Sequence, residues 1–539
     1  MSKVIAYGNE ANANVMKGID AVANIVKVTV GPRGRNVLIR EQVSQPVITN
    51  DGVTIAKAVQ LKDTMEDAGA QLIIQAANKT NNAAGDGTTT TTILAQTMIH
   101  KYYEYKDNNK DVNPVSVQKD MIAAANKVSD YLKSISTPIN TEADIERVAT
   151  ISSGSNTIGQ LLGSAFNQAG EYGSVTVEDS KTGLDELVSI QGMKLDIGSV
   201  TSYLLTDRTA QKSDMIDAKI LITKDKLDNV ADLFNVLDVC VQQNLKLLIM
   251  CDEIDFEPLN MILVNRAKGV PLNVNIIRLP GFGDLRDNLL EDLSIATGAT
   301  VMGRDNGILL KDFKPEYLGE AQQIIVSMKD TIIKFKNEGN YNYLELRQNR
   351  CKELETIMNS VNDNEKEQYK RRIANLLSGI CVLKVGGNSD IEIKDKKLRI
   401  EDAINSIQAA KEEGIVSGGG YSFISAYKSL KSDNNTLGEK IVYDSLLEIT
   451  KQIADNSGFN GDEVLDKCIS DNTGFNALSG EFENLIDNGV VNATKVDRYS
   501  VINAASVAST VITMGGAIVE ENEKDTNVLQ LQAPMSSLM

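Results

Sequence analysis

The chain has 539 residues, 42% hydrophobic and 24% charged, enough to bury real cores as three or four domains or as one domain carrying a large insertion. Its 55 basic residues against 73 acidic ones leave a net charge of −18, which opposes sequence-independent binding to nucleic acid and to anionic lipid. One histidine, His100, and five cysteines without a CxxC pair exclude His-based triads, zinc ribbons and a disulfide scaffold, so chemistry must run on carboxylates, hydroxyls, backbone amides and bound cations.

The first ten residues lack the apolar stretch of a signal peptide, and no later run approaches the ~20 apolar residues of a membrane span; a cytoplasmic protein is expected. Val15, Ile19, Val22 and Val26 form one stripe of a helix that must end before Gly31-Pro32. Ala68, Leu72 and Ala76 predict a second helix, stopping near Asn81-Asn82. The middle of the chain changes style. Ile220-Leu221-Ile222, Leu247-Leu248-Ile249, Val274 to Ile277 and Ile324-Ile325-Val326 read as buried strands, alternating with helical patterns such as Asp232 to Val241. Charged helices return from Tyr343 to Leu377, with a turn at Asn362-Asp363-Asn364, and small-residue helical packing closes the chain around Ala504 to Val511. Thr137-Pro138, Gly192, Ser378-Gly379 and Gly414 are the candidate boundaries, and an α/β domain inserted into a helical domain is the expected arrangement.

Gly85-Asp86-Gly87 followed by five threonines, Thr88 to Thr92, is the most informative segment. Glycines admit a ligand to the backbone, amides at a helix start attract phosphate, and Asp86 suits a divalent cation. The bland reading is a capped helix with surface threonines, although five consecutive threonines are poor helix formers. Thr29 to Asn36, with Gly31-Pro32, is a turn whose arginines face an anion or solvent, and Asn50-Asp51-Gly52 is an ordinary hairpin or turn signal. Ser417-Gly418-Gly419-Gly420 allows close approach of a flat ligand or a flexible joint, with a new helix beginning at Tyr421. No Walker A, GxGxxG or kinase signature occurs.

These segments, in this order, resemble a group I chaperonin of the bacterial type. Thr29 to Asn36, Asp51-Gly52-Val53, Ala83 to Thr90 and Ala409 to Gly420 carry the resemblance, with Pro280 to Asp284, Lys329-Asp330-Thr331 and Arg399 to Ala403 as further matches. The resemblance implies a multidomain fold: a mainly α-helical equatorial ATPase domain (1–136 and 414–539), a small α/β intermediate domain (137–190 and 380–413) and an inserted α/β apical domain (191–379). It implies ATP, Mg²⁺ and K⁺ as cofactors. Asp86 would hold Mg²⁺; Gly87, Thr88, Thr89 and Thr90 would surround the phosphates; Thr29, Val30, Gly31 and Pro32 would close the site. Backbone carbonyls of Thr29 and Asn50 would reach K⁺, and Gly419, Asn476, Ala477 and Val490 would contact the adenosine. Asp402 would orient the attacking water with help from Asp51; alone, it reads as a solvated charge on a Lys/Glu-rich helix.

The resemblance also implies non-native polypeptide as the partner, captured on Tyr203, Leu204, Phe234, Leu237, Leu259, Leu263 and Val264, with a heptameric ring and a co-chaperonin lid; periodicity alone makes Phe234 and Leu237 core residues. Several positions depart from the family pattern: Asn50 for a usual Lys, Asn492 for the ribose-facing Asp, Ser199 for an aromatic, and Ile197 for an Arg that pairs with the acid at Asp390. The usual Gly/Met-rich tail is replaced by Ala533 to Met539. At the usual ring–ring contact stand Lys451, Asn460, Asp462 and Glu463, and the extra carboxylates favour a single or easily parted ring, unless Lys451 pairs with one of them. The alternatives are a chaperonin-derived scaffold with reduced ATPase, against which Asp51, Asp86 and Asp402 argue, and a metabolic ATP-dependent enzyme.

Overall fold

The computed structural model describes residues 3–40, 46–108, 112–139, 141–170, 174–180, 182–207, 211–279, 283–336, 343–359, 379–520 and a few positions between 366 and 376. The turn at Asn362-Asp363-Asn364, the motif residues Pro280-Gly281-Phe282 and the chain end 521–539 lie outside these. The chain divides into two compact units, one made of residues 1–163 and 387–539 and one of 164–386.

The first unit is a helical assembly, as its periodicity predicts. Helix Gly8–Val26 buries Val15, Ile19, Val22 and Val26, and a short 3₁₀ turn, Lys27–Thr29, ends it before Gly31. Helix Thr64–Ala84 is longer than its sequence signal and is turned by one residue: its buried face carries Met65, Ile73, Ala76 and Thr80, while Ala68 and Leu72 are half-buried. Small residues drive this shift. Gly69 lies so close to Val15 that a Cβ would meet its carbonyl oxygen at 2.1 Å, so the helices meet backbone to backbone. Helices Thr88–Asn108, Pro114–Ser134, Leu437–Leu446 and Thr494–Val511 complete one continuous core, in which Ile93, Leu94, Met98, Val128, Phe423, Tyr443 and Ala504 are buried. Strands Lys3–Tyr7 and Gly516–Glu520 join the two chain ends antiparallel.

The second unit is built on a nine-stranded mixed sheet. Its main order is Ser174–Asp179, Gly379–Val385, Glu186–Leu195, Thr331–Phe335, Gly319–Ser327, Lys212–Thr223, Lys246–Cys251 and Asn273–Arg278, with Val301–Met302 beside Lys212–Thr223. Strand residues alternate between two cores. Ile220, Ile222, Leu248, Met250 and Ile277 face helices Asp284–Thr297 and Tyr343–Met358; Leu221, Leu247, Ile249, Val274 and Ile276 face helices Val230–Gln242 and Phe256–Ala267. Both faces are covered, which is why these strands read as continuous apolar runs. All five cysteines are buried and unpaired, and burial pushes the Cys240 and Cys251 thiols up to about 12. Among the described residues no helix is long and apolar enough to cross a membrane.

Candidate nucleotide and polypeptide sites

One helix junction and two further helices of the first unit converge on Asp86. Helix Thr64–Ala84 is closed by Gly85 in the left-handed conformation (φ +74°), and Gly87 (φ +85°) starts the next helix. Neither glycine has room for a side chain: a Cβ at Gly85 would lie 2.3 Å from Asn405 Cβ, and one at Gly87 would lie 2.6 Å from Ser500 Oγ. Helix Asp390–Glu413 presents Asp402, Asn405 and Ser406 at i, i+3 and i+4, one face of a helix. From that face Asn405 donates to the Gly85 carbonyl (3.4 Å) and Ser406 to the Asp86 carboxylate (2.7 Å). Ser152, from helix Glu142–Ser153, adds a bond of 3.1 Å, and the Gly87 amide one of 2.6 Å.

Helix Thr88–Asn108 makes its first backbone bond from the Thr91 amide to the Gly87 carbonyl, so the amides of Thr88, Thr89 and Thr90 precede the ladder. The threonines divide by face. Thr91 and Thr92 are buried and return their hydroxyls to the Gly87 and Thr88 carbonyls; Thr89 and Thr90 are half-buried. Asn50-Asp51-Gly52 is a helix start rather than a hairpin: the Asp51 carboxylate caps helix Gly52–Ala58, accepting from the Val53 (3.1 Å) and Thr54 (3.0 Å) amides. Gly52 rests on the threonines, since a Cβ there would lie 2.6 Å from Thr89 Oγ1 and 2.8 Å from Thr88 Oγ1. The family-derived trio of Asp51, Asp86 and Asp402 is therefore a spatial group.

Its electrostatics are those of a crowded acidic pocket. Burial pushes the Asp402 carboxyl well above the usual carboxylate range, and the charges of Asp86, Asp51 and Glu401 push it the same way. Burial likewise raises Asp86, against the pull of its three donors. Among the described residues no three His, Cys, Asp or Glu side chains stand close enough to hold a metal by themselves. The single Asp86 carboxylate is a donor set of the kind Mg²⁺ takes, since that ion characteristically uses one or two carboxylates and completes its shell with phosphate oxygens and water.

The flanking loops sit where their glycines require. The turn after Lys27–Thr29 packs Gly31 (φ +86°) against Ile453, and Asn456 holds the Lys27 and Val30 carbonyls at 2.9 Å. Pro32 is exposed beside it, and Thr29 is buried. Arg33 stays exposed at the surface, and from there it donates to the Ser457 and Leu478 carbonyls. Ser417 ends strand Ile415–Ser417, and Gly418 to Gly420 turn into helix Tyr421–Leu430, with Gly419 and Gly420 at positive φ. Val490 and Asn492 lie against Gly418, and Ala477 is buried. The Asn476 side chain is engaged by its own turn: it donates to Glu483 (2.7 Å) and accepts from the Leu478 amide (3.0 Å). One acid escaped the sequence reading. Asp497, buried in helix Thr494–Val511, accepts from Ser422 Oγ (2.7 Å) and Asn492 Nδ2 (3.1 Å), and burial pushes it up to about 7.

The expected apolar strip needs correction in the second unit. Helix Val230–Gln242 buries Leu233, Val236, Leu237 and Cys240, so Leu237 is core, whereas Phe234, one step off that stripe, is 66% exposed. Leu204 is fully buried at the end of a 3₁₀ turn, while its neighbour Tyr203 is 68% exposed. Leu259 and Leu263 are half-buried and Val264 is exposed. Ser199 is buried and bonded to Asn275, so no aromatic could stand exposed there in this packing, and Ile197 leans on the core. Phe256, which the sequence reading left out, is the most exposed aromatic of this group at 80%. Tyr203, Leu263 and Val264 line one groove of ≈ 500 Å³ with Leu205, Thr206, Arg266 and Ala267.

Residues 22–522 match the TCP-1/cpn60 chaperonin family. The chain is 38% identical to the chaperonin GroEL of Acholeplasma laidlawii (strain PG-8A) over 537 residues, 98% of this chain and 99% of that one. Its fold is similar to the crystal structure of the chaperonin gp146 from the Pseudomonas aeruginosa bacteriophage EL, solved in the presence of ATP-BeFx, with a TM-score of 0.70 and 18% identity over 96% of this chain and 100% of that one. On sequence, and with a fold that agrees, the chain belongs to the TCP-1/cpn60 chaperonin family.

Proposed function

We propose that the Asp51–Asp86–Asp402 pocket is where this ATP-dependent chaperonin hydrolyses ATP, and that the exposed aromatics of the inserted unit hold its non-native polypeptide. The observation that carries the first part is the pocket itself: Asp51, Asp86 and Asp402 gathered together, with the Asp86 and Asp402 carboxyls pushed upward by burial and by neighbouring charge, beside helix-start amides that precede the hydrogen-bond ladder. A phosphate chain needs positioning and charge neutralisation rather than a histidine. Asp86 is the Mg²⁺ ligand in this reading, and the ion would neutralise the phosphates and relieve the acidic pocket. The amides of Thr88 to Thr90 and the Gly87 backbone receive the phosphates, with Thr29 to Pro32 along the edge and the Thr29 and Asn50 carbonyls available to K⁺. Asp402 orients the attacking water and takes its proton, and Asp51, fixed as a helix cap, supports it. Gly419, Ala477, Val490 and Asn492 border the nucleoside, with Asn476 contributing through its backbone.

Tyr203, Phe234, Phe256, Leu259, Leu263 and Val264 form the polypeptide-binding set, and Leu204 and Leu237 support it from the core. Exposed rings on helix edges suit an unfolded chain of any sequence. The first unit serves as equatorial domain with the helical part of the hinge, and the second carries the apical domain with the strands of the hinge. Subunits assemble as a ring; seven members, a lid and a cytoplasmic setting follow the family pattern. The test is ATP turnover and refolding of a denatured protein by one purified sample. Loss of both with Asp402→Ala, while ATP still binds, is the expected result; full turnover in that variant would remove Asp402 from the mechanism.

A further inference from the structure

Asn492 and Asp497 form a unit that neither residue suggests alone. Asn492 sits in strand Val491–Ala493, paired with Val416 beside the Gly418–Gly420 turn, and Asp497 lies one turn into the following helix. A carboxylate only accepts, so the end of the Asn492 amide that faces Asp497 must be Nδ2; the bond is 3.1 Å long. The other end is thereby fixed. Asn492 Oδ1 abuts the bare α-carbon of Gly418, where an added Cβ would lie only 3.2 Å from it. Ser422 Oγ donates to the second Asp497 oxygen at 2.7 Å and pins the carboxylate in turn. Asp497 and Ser422 are 1% and 0% exposed, whereas Asn492 is half-buried and keeps its oxygen at the edge of the glycine turn.

An aspartate presents an oxygen whichever way its carboxylate turns. An asparagine presents either an oxygen or an NH₂, separated by a flip of the amide, so its use as an acceptor requires something to hold the flip. We propose that Asp497 is a positioning residue for the nucleotide: through its hydrogen bond to Asn492 Nδ2 it keeps Asn492 Oδ1 directed at the glycine turn, as the acceptor for a sugar hydroxyl of ATP. This rests on the nucleotide reading of the site. The buried charge stands behind the asparagine instead of at the ligand, and Ser422 stabilises it there. Burial raises Asp497 to about 7 and its neighbour Asp86 adds to that, while the two donated bonds favour the ionised form.

The experiment compares binding of ATP and of 2′,3′-dideoxy-ATP to the intact chain. The wild type should prefer ATP by about 5–10-fold, the worth of one hydroxyl-to-acceptor hydrogen bond. Asp497→Leu, which keeps bulk but removes the acceptor, should bring that preference to about 1–2-fold by weakening ATP alone, with dideoxy-ATP affinity unchanged. Asp497→Asn retains an acceptor oxygen and should keep most of the preference. In an Asn492→Asp background the flip is irrelevant, so Asp497→Leu should then cost nothing in preference; this pair of variants also covers the case in which Asp497→Leu alone fails to fold. A wild-type preference that survives Asp497→Leu, or an equal loss for both nucleotides, overturns the positioning role while leaving the site. A wild type that binds neither nucleotide overturns the site reading and this inference together.

Discussion

In the unit made from both chain ends, the candidate site consists of acids drawn out of water, Asp86 and Asp402 in part and Asp497 fully, all with carboxyls pushed upward by burial. In the inserted unit it consists of rings left in water: Tyr203, Phe234 and Phe256, exposed by two thirds or more. Each breaks the ordinary rule that charge stays outside and apolar surface goes in. The difference lies in what holds the violation in place. Asp86 and Asp497 are held by serines and amides beside glycines without room for a Cβ, which fixes them for one chemistry. The rings sit on helix edges over a packed core and are free to fit many partners.

The sharpest break of this comparison is chemical. Removing one carboxylate should stop a reaction, whereas removing one ring should only weaken an adhesive surface. Asp402→Ala is expected to lower ATP turnover by at least ~10²-fold with ATP binding retained, because only water positioning and proton acceptance are lost. Asp86→Ala should act one step earlier and weaken Mg-ATP binding itself, measured by titration with and without Mg²⁺. Unchanged Mg-ATP affinity in that variant would exclude Asp86 as the metal ligand.

A second contrast lies within the inserted unit, between two neighbours on one helix. Leu237→Ser should destabilise this unit by about 2–5 kcal/mol, since it empties a packed core position and buries a hydroxyl there. Phe234→Ser and Phe256→Ser should leave the melting temperature nearly unchanged and reduce capture of a denatured protein, with basal ATPase intact. If Phe234→Ser melted like Leu237→Ser, the exposed-strip reading would fail.

That pair also marks what was legible in the sequence. Strand identities in the inserted sheet were plain, because a sheet covered on both faces writes continuous apolar runs at Ile220, Leu247 and Val274. The helix Val230–Gln242 was equally plain, but its sequence holds Leu233, Phe234, Val236 and Leu237 in nearly adjacent positions. A shift of about 100° decides which of them meets the sheet, and the family pattern placed Leu237 on the wrong side. The acidic pocket was legible only through resemblance for Asp402, yet its helix carries the geometry openly: Asp402, Asn405 and Ser406 share a face. Asp497 was missed because an acid flanked by Val496 and Arg498 on a helix reads as a solvated charge. Its burial depends on Ser422, distant in sequence, and no local pattern announces that.

A third prediction separates function from stability in the acidic pocket. The folded Asp497 carboxyl titrates at about 7, against an ordinary range near 4 in an unfolded chain. A raised carboxyl holds its proton more tightly in the fold, so its proton-linked stability is present below about pH 4 and is lost as the pH rises through 7. Above that pH the fold carries the cost of the buried charge. Asp497→Asn should therefore be more stable than the wild type at pH 8, by about 1–3 kcal/mol, and equal to it at pH 4. Denaturant titrations at the two pH values check the sign, and a variant less stable at pH 8 would mean that the ionised network is net favourable.

The smallest expected effect concerns charges left in water. Lys451 Nζ reaches Asp462 Oδ1 at 2.5 Å within the chain, and Asn460 caps helix Gly461–Asp471 while donating to Glu463 (3.0 Å). The contact foreseen as an alternative is thus made, and it removes one of the two acids from the argument for ring separation. Glu463 stays exposed and, among the described residues, is met by the neutral amide of Asn460 and by no cation, so one carboxylate per subunit remains in the argument. Lys451→Gln should change the stability of the chain by less than about 1 kcal/mol, as for any exposed pair. In an assembly the same charge is repeated by symmetry, so the substitution should favour single rings visibly, and added salt should oppose it. Sedimentation with and without ATP measures this. The wild type is expected as single or easily parted rings, Lys451→Gln as single rings only; a stable double ring for both proteins in both conditions would show that these charges do not govern the contact.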